Sequence, residues 1–233
     1  MNATTYGLHL ESGPMRRKTM VHALDLLGCV VMMPSTDEAV EAAPAAIRRY
    51  LGFLAAHGEH FDPDEEFTTA VREHVTEGYF LGQGGAHFAW DERTMRAGEV
   101  RAAAARFAGL RGEMLDLAAA IPARRLDAKP ATGDRTLGAI LDHVLGAASG
   151  YLSSVFGGTP EIGRVRRRVE KGELGAGDGL RAQAPLLAER LEQLAPGGKS
   201  RAALARPEQV TRGVRRLLEH EWEHLEELRR RMG

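Results

Sequence analysis

The sequence predicts an α+β N-terminal domain, made of a three-stranded antiparallel sheet and one helix, followed by an all-α four-helix bundle. Three observations predict this fold class: short apolar runs between turn residues at the start, a helix-capping sequence after them, and long stretches of helical periodicity from Met95 onward. We place the N-terminal domain at residues 1–60, a linker at 61–94 and the bundle at 95–233.

The first 34 residues have the pattern of strands. Apolar residues alternate with others over 6–10, Gly13-Pro14 marks a turn, and two further apolar runs cover 20–24 and 29–33. Because each run is short and follows a turn, we expect an antiparallel meander of three strands.

A helix should follow these strands. Ser35 and Glu38 have the spacing of a capping box, in which each side chain bonds the other residue's backbone N–H. The helical pattern then continues to about His57, and Gly58 marks its end. Pro44 lies beyond the first turn, so this helix is expected to bend or to start late.

Residues 61–94 show the weakest periodicity and contain a glycine-rich turn at 82–85. We interpret this segment as the linker. Its His74, His87 and Trp90 are interpreted as packing or surface residues, because side chains of these types in a connection more often serve those roles than a functional site.

Helical periodicity then dominates. The predicted helices cover about 95–121, 136–156, 180–194 and 207 to the end. Four helices with modest connections favour a bundle, whose core often holds metal ligands from facing helices. The connection 157–179 contains the basic run Arg164–Arg168, which is either solvated or holds an anionic substrate.

The composition fits a folded protein without a dominant charge. The 233 residues are 43% hydrophobic, and 31 Lys plus Arg balance 32 Asp plus Glu, so no nucleic-acid or membrane partner is indicated. The start carries no pattern of a signal peptide, and Cys29 is the single cysteine, which suits a reducing compartment. We therefore expect a cytoplasmic protein.

The clearest chemical signal is the sequence His-Glu-Trp-Glu-His from His220 to His224. Two histidines four apart lie on the same side of a helix, which suits two ligands of one metal ion. The same spacing occurs in zinc proteases, in which the glutamate at the position of Glu221 is the general base. The positions where the extended pattern has a glycine and a third ligand hold Glu227 and Arg230, however, so a third ligand must come from upstream.

Helical phase adds that Glu221 and His224 point toward the expected core. A buried carboxylate requires a paired charge, hydrogen bonds or a metal. The alternative is a solvated helix rich in Glu and Arg, on which the two histidines are incidental.

One resemblance concerns the N-terminal domain. The segments Leu24–Cys29 and Ser35–Ala39 look like the turn and helix start of the HicB-type antitoxin domain, with Leu27 where that family has proline. The match covers about residues 5–58. It implies an interaction or dimerisation module; sequestering a small ribonuclease toxin is an alternative role.

A second resemblance covers residues 95–233, which look like the DinB superfamily of bacterial four-helix metalloproteins. The residues that carry it are Thr136–His143 and Leu217–Leu225. It implies a divalent metal ion, zinc or nickel, bound by His143, His220 and His224. It also implies a small-molecule substrate, in some relatives used with a low-molecular-weight thiol such as mycothiol or bacillithiol.

The helical phase of His143 differs from that of the apolar residues around it by about 120°. It should therefore lie at the edge of the bundle, either as a ligand open to solvent or as an exposed histidine. Three protein ligands with an exchangeable position are what a catalytic metal needs.

The leading hypothesis is a metal-dependent small-molecule enzyme, such as a thiol-dependent transferase or hydrolase. Glu221 would act as base, orient a ligand, or support an imidazole. The rival is a binding or regulatory protein with a structural metal. Cys29 is interpreted as structural, and a homodimer is expected from the frequency of such assemblies.

Overall fold

A computed structural model describes residues 3–131, 133–196 and 204–232. The chain divides into two compact units, the first ending at Arg93 and the second beginning at Thr94. Among the described residues, no helix combines the length and apolar character needed to cross a membrane.

The first unit is a mixed sheet with one helix. Its strands are β1 (Thr4–Ser12), β2 (Thr19–Ala23), β3 (Val30–Met33) and β4 (Phe67–Val75), in the order β3-β2-β1-β4. The pairs β1–β2 and β2–β3 are antiparallel, as predicted, whereas β1–β4 is parallel. The three-stranded sheet was therefore an incomplete prediction.

The missing strand lies inside the segment 61–94 that was interpreted as a linker. Phe67, Val71 and Val75 are four residues apart, a spacing that also fits a helix, whereas Thr68 and Thr69 favour a strand. Pairing with β1, more than 60 positions earlier in the sequence, decides between them. No local pattern contains that information.

The helix of this unit, α1 (Thr36–Ala56), begins where the capping box predicts. Ser35 Oγ accepts the Glu38 N–H at 3.3 Å, and the Glu38 carboxylate accepts the Ser35 N–H at 3.1 Å. Pro44 lies inside the helix, so of the two expected effects of this proline, a bend or a late start, the late start is excluded. The buried side of α1 packs on β2 and β3.

The second unit is helical. Its described helices are α2 (Ala97–Ala120), α3 (Ala123–Leu126), α4 (Leu137–Phe156), α5 (Pro160–Glu170), α6 (Ala176–Glu192) and α7 (Val210–Met232). The four long ones correspond to the predicted helices. Helices α3 and α5 are additional, so the prediction of four helices was also incomplete.

Helix α5 contains the basic run that was assigned to a connecting loop. Pro160 occupies its first turn, where proline is tolerated, and Ile162 and Val165 are buried. The arginines of the run are exposed. A short amphipathic helix therefore replaces the expected loop.

The four long helices form a closed ring, because α2 and α4 each pack against both α6 and α7. Side chains from all four helices fill the interior. Fully buried members are Leu110, Met114, Ile140, Leu145, Leu187, Leu191, Leu218 and Leu225. This packing places α4 beside α7, the two helices that carry the predicted ligands.

Candidate metal centre

Helices α4 and α7 bring the three predicted histidines together. Thr136 caps α4 by accepting the Ala139 N–H at 3.1 Å, and His143 follows two turns later. His220 and His224 lie one turn apart on α7. The three histidines thus occupy facing positions on two neighbouring helices and form one cluster.

One ligand nitrogen from each histidine can be chosen so that all three lie within 4.8 Å of one another. The Nε2 atoms of His143 and His220 are 3.0 Å apart. Two nitrogens of a tetrahedral zinc site, each about 2.0–2.1 Å from the ion, are about 3.3 Å apart. The observed spacing is therefore close to that of two ligands of one ion.

Burial keeps two of these imidazoles neutral. The pKa of His220 is well below its ordinary value, first because of burial and then because His224 and His143 lie nearby. Burial, followed by the neighbouring His224 and Arg135, lowers the pKa of His143 to about 4. At neutral pH both rings consequently keep the lone pair that a metal ligand needs.

A carboxylate orients the third imidazole. Nδ1 of His224 lies 2.8 Å from Glu227 Oε2, and Glu227 also accepts from Arg231 at 3.3 Å. The hydrogen bond from His224 is the main reason that the pKa of Glu227 is lowered. Because this carboxylate only accepts, Nδ1 is the protonated nitrogen, which leaves Nε2 free to bind a metal.

Glu227 was not predicted as a site residue. Its spacing, three residues after His224 on a helix, was a usable signal, because side chains three apart on a helix can meet.

Glu221, predicted as a base or as a residue that orients a ligand, is paired with an arginine. It is fully buried and accepts two hydrogen bonds from the guanidinium of Arg111, one of them Nε to Oε2 at 3.0 Å. Both carboxylate oxygens are thereby occupied by a permanent cation. The ion pair joins α2 to α7, and the role of Glu221 as a base stays a prediction.

The ion pair belongs to a buried network of hydrogen bonds. Arg111 also approaches the Leu180 carbonyl at 3.4 Å and Gln183 Oε1 at 3.5 Å, and Gln183 donates to the Leu145 carbonyl at 3.0 Å. These residues come from α2, α6, α4 and α7. This hydrogen-bond network therefore links all four long helices in the layer next to the histidines.

A second group of polar residues adjoins the cluster along the α4–α7 groove. The ring of Tyr151 contacts His220 edge-on at 5.6 Å, and the Arg216 guanidinium lies 5.6 Å from the Tyr151 ring centre. Arg216 and Arg215 both donate to Glu219, at 2.6 and 3.0 Å. Burial raises the pKa of Tyr151, so its hydroxyl stays protonated.

His143 also lines a cleft of about 520 Å³. Arg135, Asp142, Gly146 and Arg166 are among the residues that line it. His143 is partly exposed, whereas His220 and His224 are only 5% and 4% exposed. Solvent therefore reaches the cluster from the side of His143.

The donor set fits a divalent metal ion. It consists of three imidazoles, two held neutral and one oriented by a carboxylate, and among the described residues no fourth His, Cys, Asp or Glu belongs to the cluster. Three protein ligands are typical of catalytic zinc sites, and four of structural ones.

The other candidates lie in the first unit. Cys29 is buried. His74 Nε2 is 2.8 Å from Ser12 Oγ, and His87 lies near the carboxylates of Asp91 and Glu92. All three members of the histidine cluster come from the second unit.

Comparison with known families agrees with this site. The sequence model of the DinB superfamily matches residues 106–228, which is more than half of the chain, so this protein belongs to the DinB superfamily. The matched region contains all three histidines. Searches of curated proteins and of solved structures give no significant match. The resemblance of the first unit to HicB-type domains is not supported by any of these comparisons and remains a prediction.

Proposed function

We propose that this protein is a metal-dependent enzyme that acts on a small molecule, with zinc or nickel bound by His143, His220 and His224. The observation that carries the proposal is the cluster itself: three imidazoles from two helices, with ligand atoms within 4.8 Å, beside a cleft. A purely solvated pair of histidines on α7 would not explain the burial of His220 and His224.

When bound, the ion would lower the pKa of a coordinated water or thiol and so supply a nucleophile at neutral pH. The chain's own residues prepare the site for this. Glu227 holds His224 in the tautomer that a ligand needs. The buried pair of Arg111 and Glu221 holds α7 against α2, which keeps His220 and His224 in place.

The reaction is proposed as a thiol-dependent transfer or a hydrolysis. Membership of the DinB superfamily supports a metal-binding, enzyme-like protein, and the resemblance stated above supports a low-molecular-weight thiol as co-substrate. The partly exposed edge at His143 would admit such a molecule.

Elemental analysis of the protein purified without a histidine tag tests this function. We expect about one zinc or nickel ion per chain, and much less in the His143→Ala and His220→Ala variants. His87→Ala is a matched control, because His87 is half exposed and lies outside the cluster. Activity on thiol and ester substrates should then depend on the metal. Wild-type protein that neither contains nor takes up a divalent metal would contradict the proposal.

A second candidate role concerns the first unit, for which we propose an interaction surface that forms a homodimer. Met15, Tyr79 and Phe80 are 80%, 90% and 77% exposed. The loops that carry them touch, because a Cβ on Gly82 would collide with the Lys18 carbonyl. Large apolar side chains that are exposed together are typical of protein interfaces.

Light scattering of the double variant Tyr79→Ser/Phe80→Ser tests this role. We expect a dimer in the wild type and a monomer in the variant. Val71→Ser is the matched control, since Val71 is 51% exposed but lies on β4. A monomeric wild type would contradict dimerisation through this surface.

A further inference from the structure

The cleft beside His143 is lined by two arginines that come from different parts of the second unit. Arg135 lies just before α4, and Arg166 extends from α5. Arg135 is close enough to His143 for its charge to influence the imidazole. The basic run on α5, which the metal site does not use, therefore contributes one residue to the neighbourhood of that site.

The guanidinium of Arg166 packs against α4 at Gly146. A Cβ added at Gly146 would lie 3.4 Å from the guanidinium carbon of Arg166. Gly150, one turn later on the same helix, has no neighbouring atom within 4 Å of such a Cβ. The guanidinium of Arg166 thus lies directly over α4, one turn from His143.

The charges in the cleft favour an anion. Two guanidiniums line it together with one carboxylate, Asp142. Arg166 also bonds Glu170 at 2.8 Å, but both side chains of this pair are half exposed. Exposed ion pairs contribute about 0–1 kcal/mol, so an incoming anion can compete for the guanidinium.

We infer that Arg135 and Arg166 form an anion subsite, which binds a carboxylate or phosphate group of the substrate beside the metal ligand His143. This inference rests on the proposed function for its meaning, because it assigns the class of substrate: a small molecule that carries an anionic group. Guanidinium forks bind such groups through paired hydrogen bonds. Asp142 lies in the same cleft and can accept from a hydroxyl or amino group next to the anion.

The test is a titration of the full-length protein with inorganic phosphate, followed through the ring signals of His143 in NMR spectra of ¹⁵N-histidine-labelled protein. Ionic strength is kept constant with sodium chloride. We expect a saturable shift of the His143 signals. The dissociation constant for phosphate should be at least fivefold larger in Arg135→Gln and in Arg166→Gln.

Arg168→Gln is the matched control, because Arg168 lies on the same helix, is equally exposed and pairs with Glu173. It should bind phosphate as the wild type does. The subsite is refuted if the His143 signals do not respond, or if all three variants weaken binding equally. Binding that requires zinc and ignores both arginines would refute it as well, because phosphate would then be a metal ligand only.

The titration is carried out on zinc-loaded and metal-free protein, with metal content measured separately. A protein that holds no metal but binds phosphate through both arginines would overturn the proposed function and keep the subsite. A protein that holds metal but shows no arginine-dependent binding of phosphate would refute the subsite and leave the proposed function in place.

Discussion

Arg111 of α2 and Glu221 of α7, 110 positions apart in the sequence, form a buried ion pair with two hydrogen bonds. Glu221 occupies the position of the base in the zinc-protease pattern. In this protein the pair instead ties two helices together in the layer next to the histidines. A base and a structural partner of Arg111 should respond differently to substitution.

Replacing Glu221 with Gln should destabilise the helical unit by about 3–5 kcal/mol, because Arg111 would stay buried without its partner charge. Urea unfolding monitored by helical circular dichroism measures this loss. Glu226→Gln is the control, since Glu226 pairs with Arg229 near the surface and should cost less than about 1 kcal/mol. A Glu221→Gln variant that keeps full stability but loses activity would support the base role.

Glu227 provides the second prediction. Glu227→Ala removes the acceptor that orients His224, so zinc affinity should fall about 10- to 100-fold, as is typical when such a partner of a metal ligand is lost. Competition with a chromophoric chelator measures this affinity. The adjacent Glu226→Ala variant should bind zinc normally. Equal affinity in wild type and Glu227→Ala would show that His224 needs no such partner.

Metal binding should stabilise the fold. Because a ligand that binds only the native state shifts the unfolding equilibrium, free zinc at 100 times its dissociation constant should add about 2.7 kcal/mol. Thermal unfolding with zinc and with chelator measures the difference. His220→Ala should abolish it, whereas His87→Ala should retain it. A zinc effect that survives His220→Ala would place the ion elsewhere.

The ion pair between Glu161 of α5 and Arg190 of α6 should contribute to stability only above acidic pH. The hydrogen bond from Arg190 lowers the pKa of Glu161, so the carboxylate is favoured in the folded state. This contribution is fully present above the ordinary pKa of 4.5 and is lost as the pH falls through the lower, folded value.

Glu161→Gln should therefore be less stable than wild type at pH 7, by up to about 1 kcal/mol, and should approach it at pH 3. Denaturant unfolding at both pH values measures the two differences. Glu173→Gln, which breaks the more exposed pair with Arg168, should have the smaller effect at pH 7. If the loss of stability in Glu161→Gln were the same at pH 3 as at pH 7, the lowered pKa of Glu161 would be contradicted.

Local patterns in the sequence predicted several features directly. The capping box at Ser35 and Glu38 has the bonds that its spacing implies. The four long helices follow their apolar periodicity, and His220 and His224 share a side of α7 because four residues make about one helical turn. Each of these features depends on residues close together in the chain.

His143 was predicted only from the family resemblance, since its helical phase allowed both a ligand and an exposed side chain. The packing of α4 beside α7 decided its place, with its Nε2 atom 3.0 Å from that of His220. Helix α5 was missed because a glycine and several arginines interrupt its short apolar pattern. Burial of Ile162 and Val165 against the rest of the unit compensates for its weak local signal.

The sequence by itself determined the helical character of the C-terminal unit, the cap of α1 and the ligand pair on α7. Only the tertiary structure decided that β4 joins the sheet, that His143 completes the cluster, and that Glu221 pairs with Arg111. The physical reason is the separation along the sequence over which each interaction acts. Helix periodicity and capping act within about one turn, whereas strand pairing and buried charge compensation join residues more than 60 positions apart, whose proximity depends on packing of the whole unit.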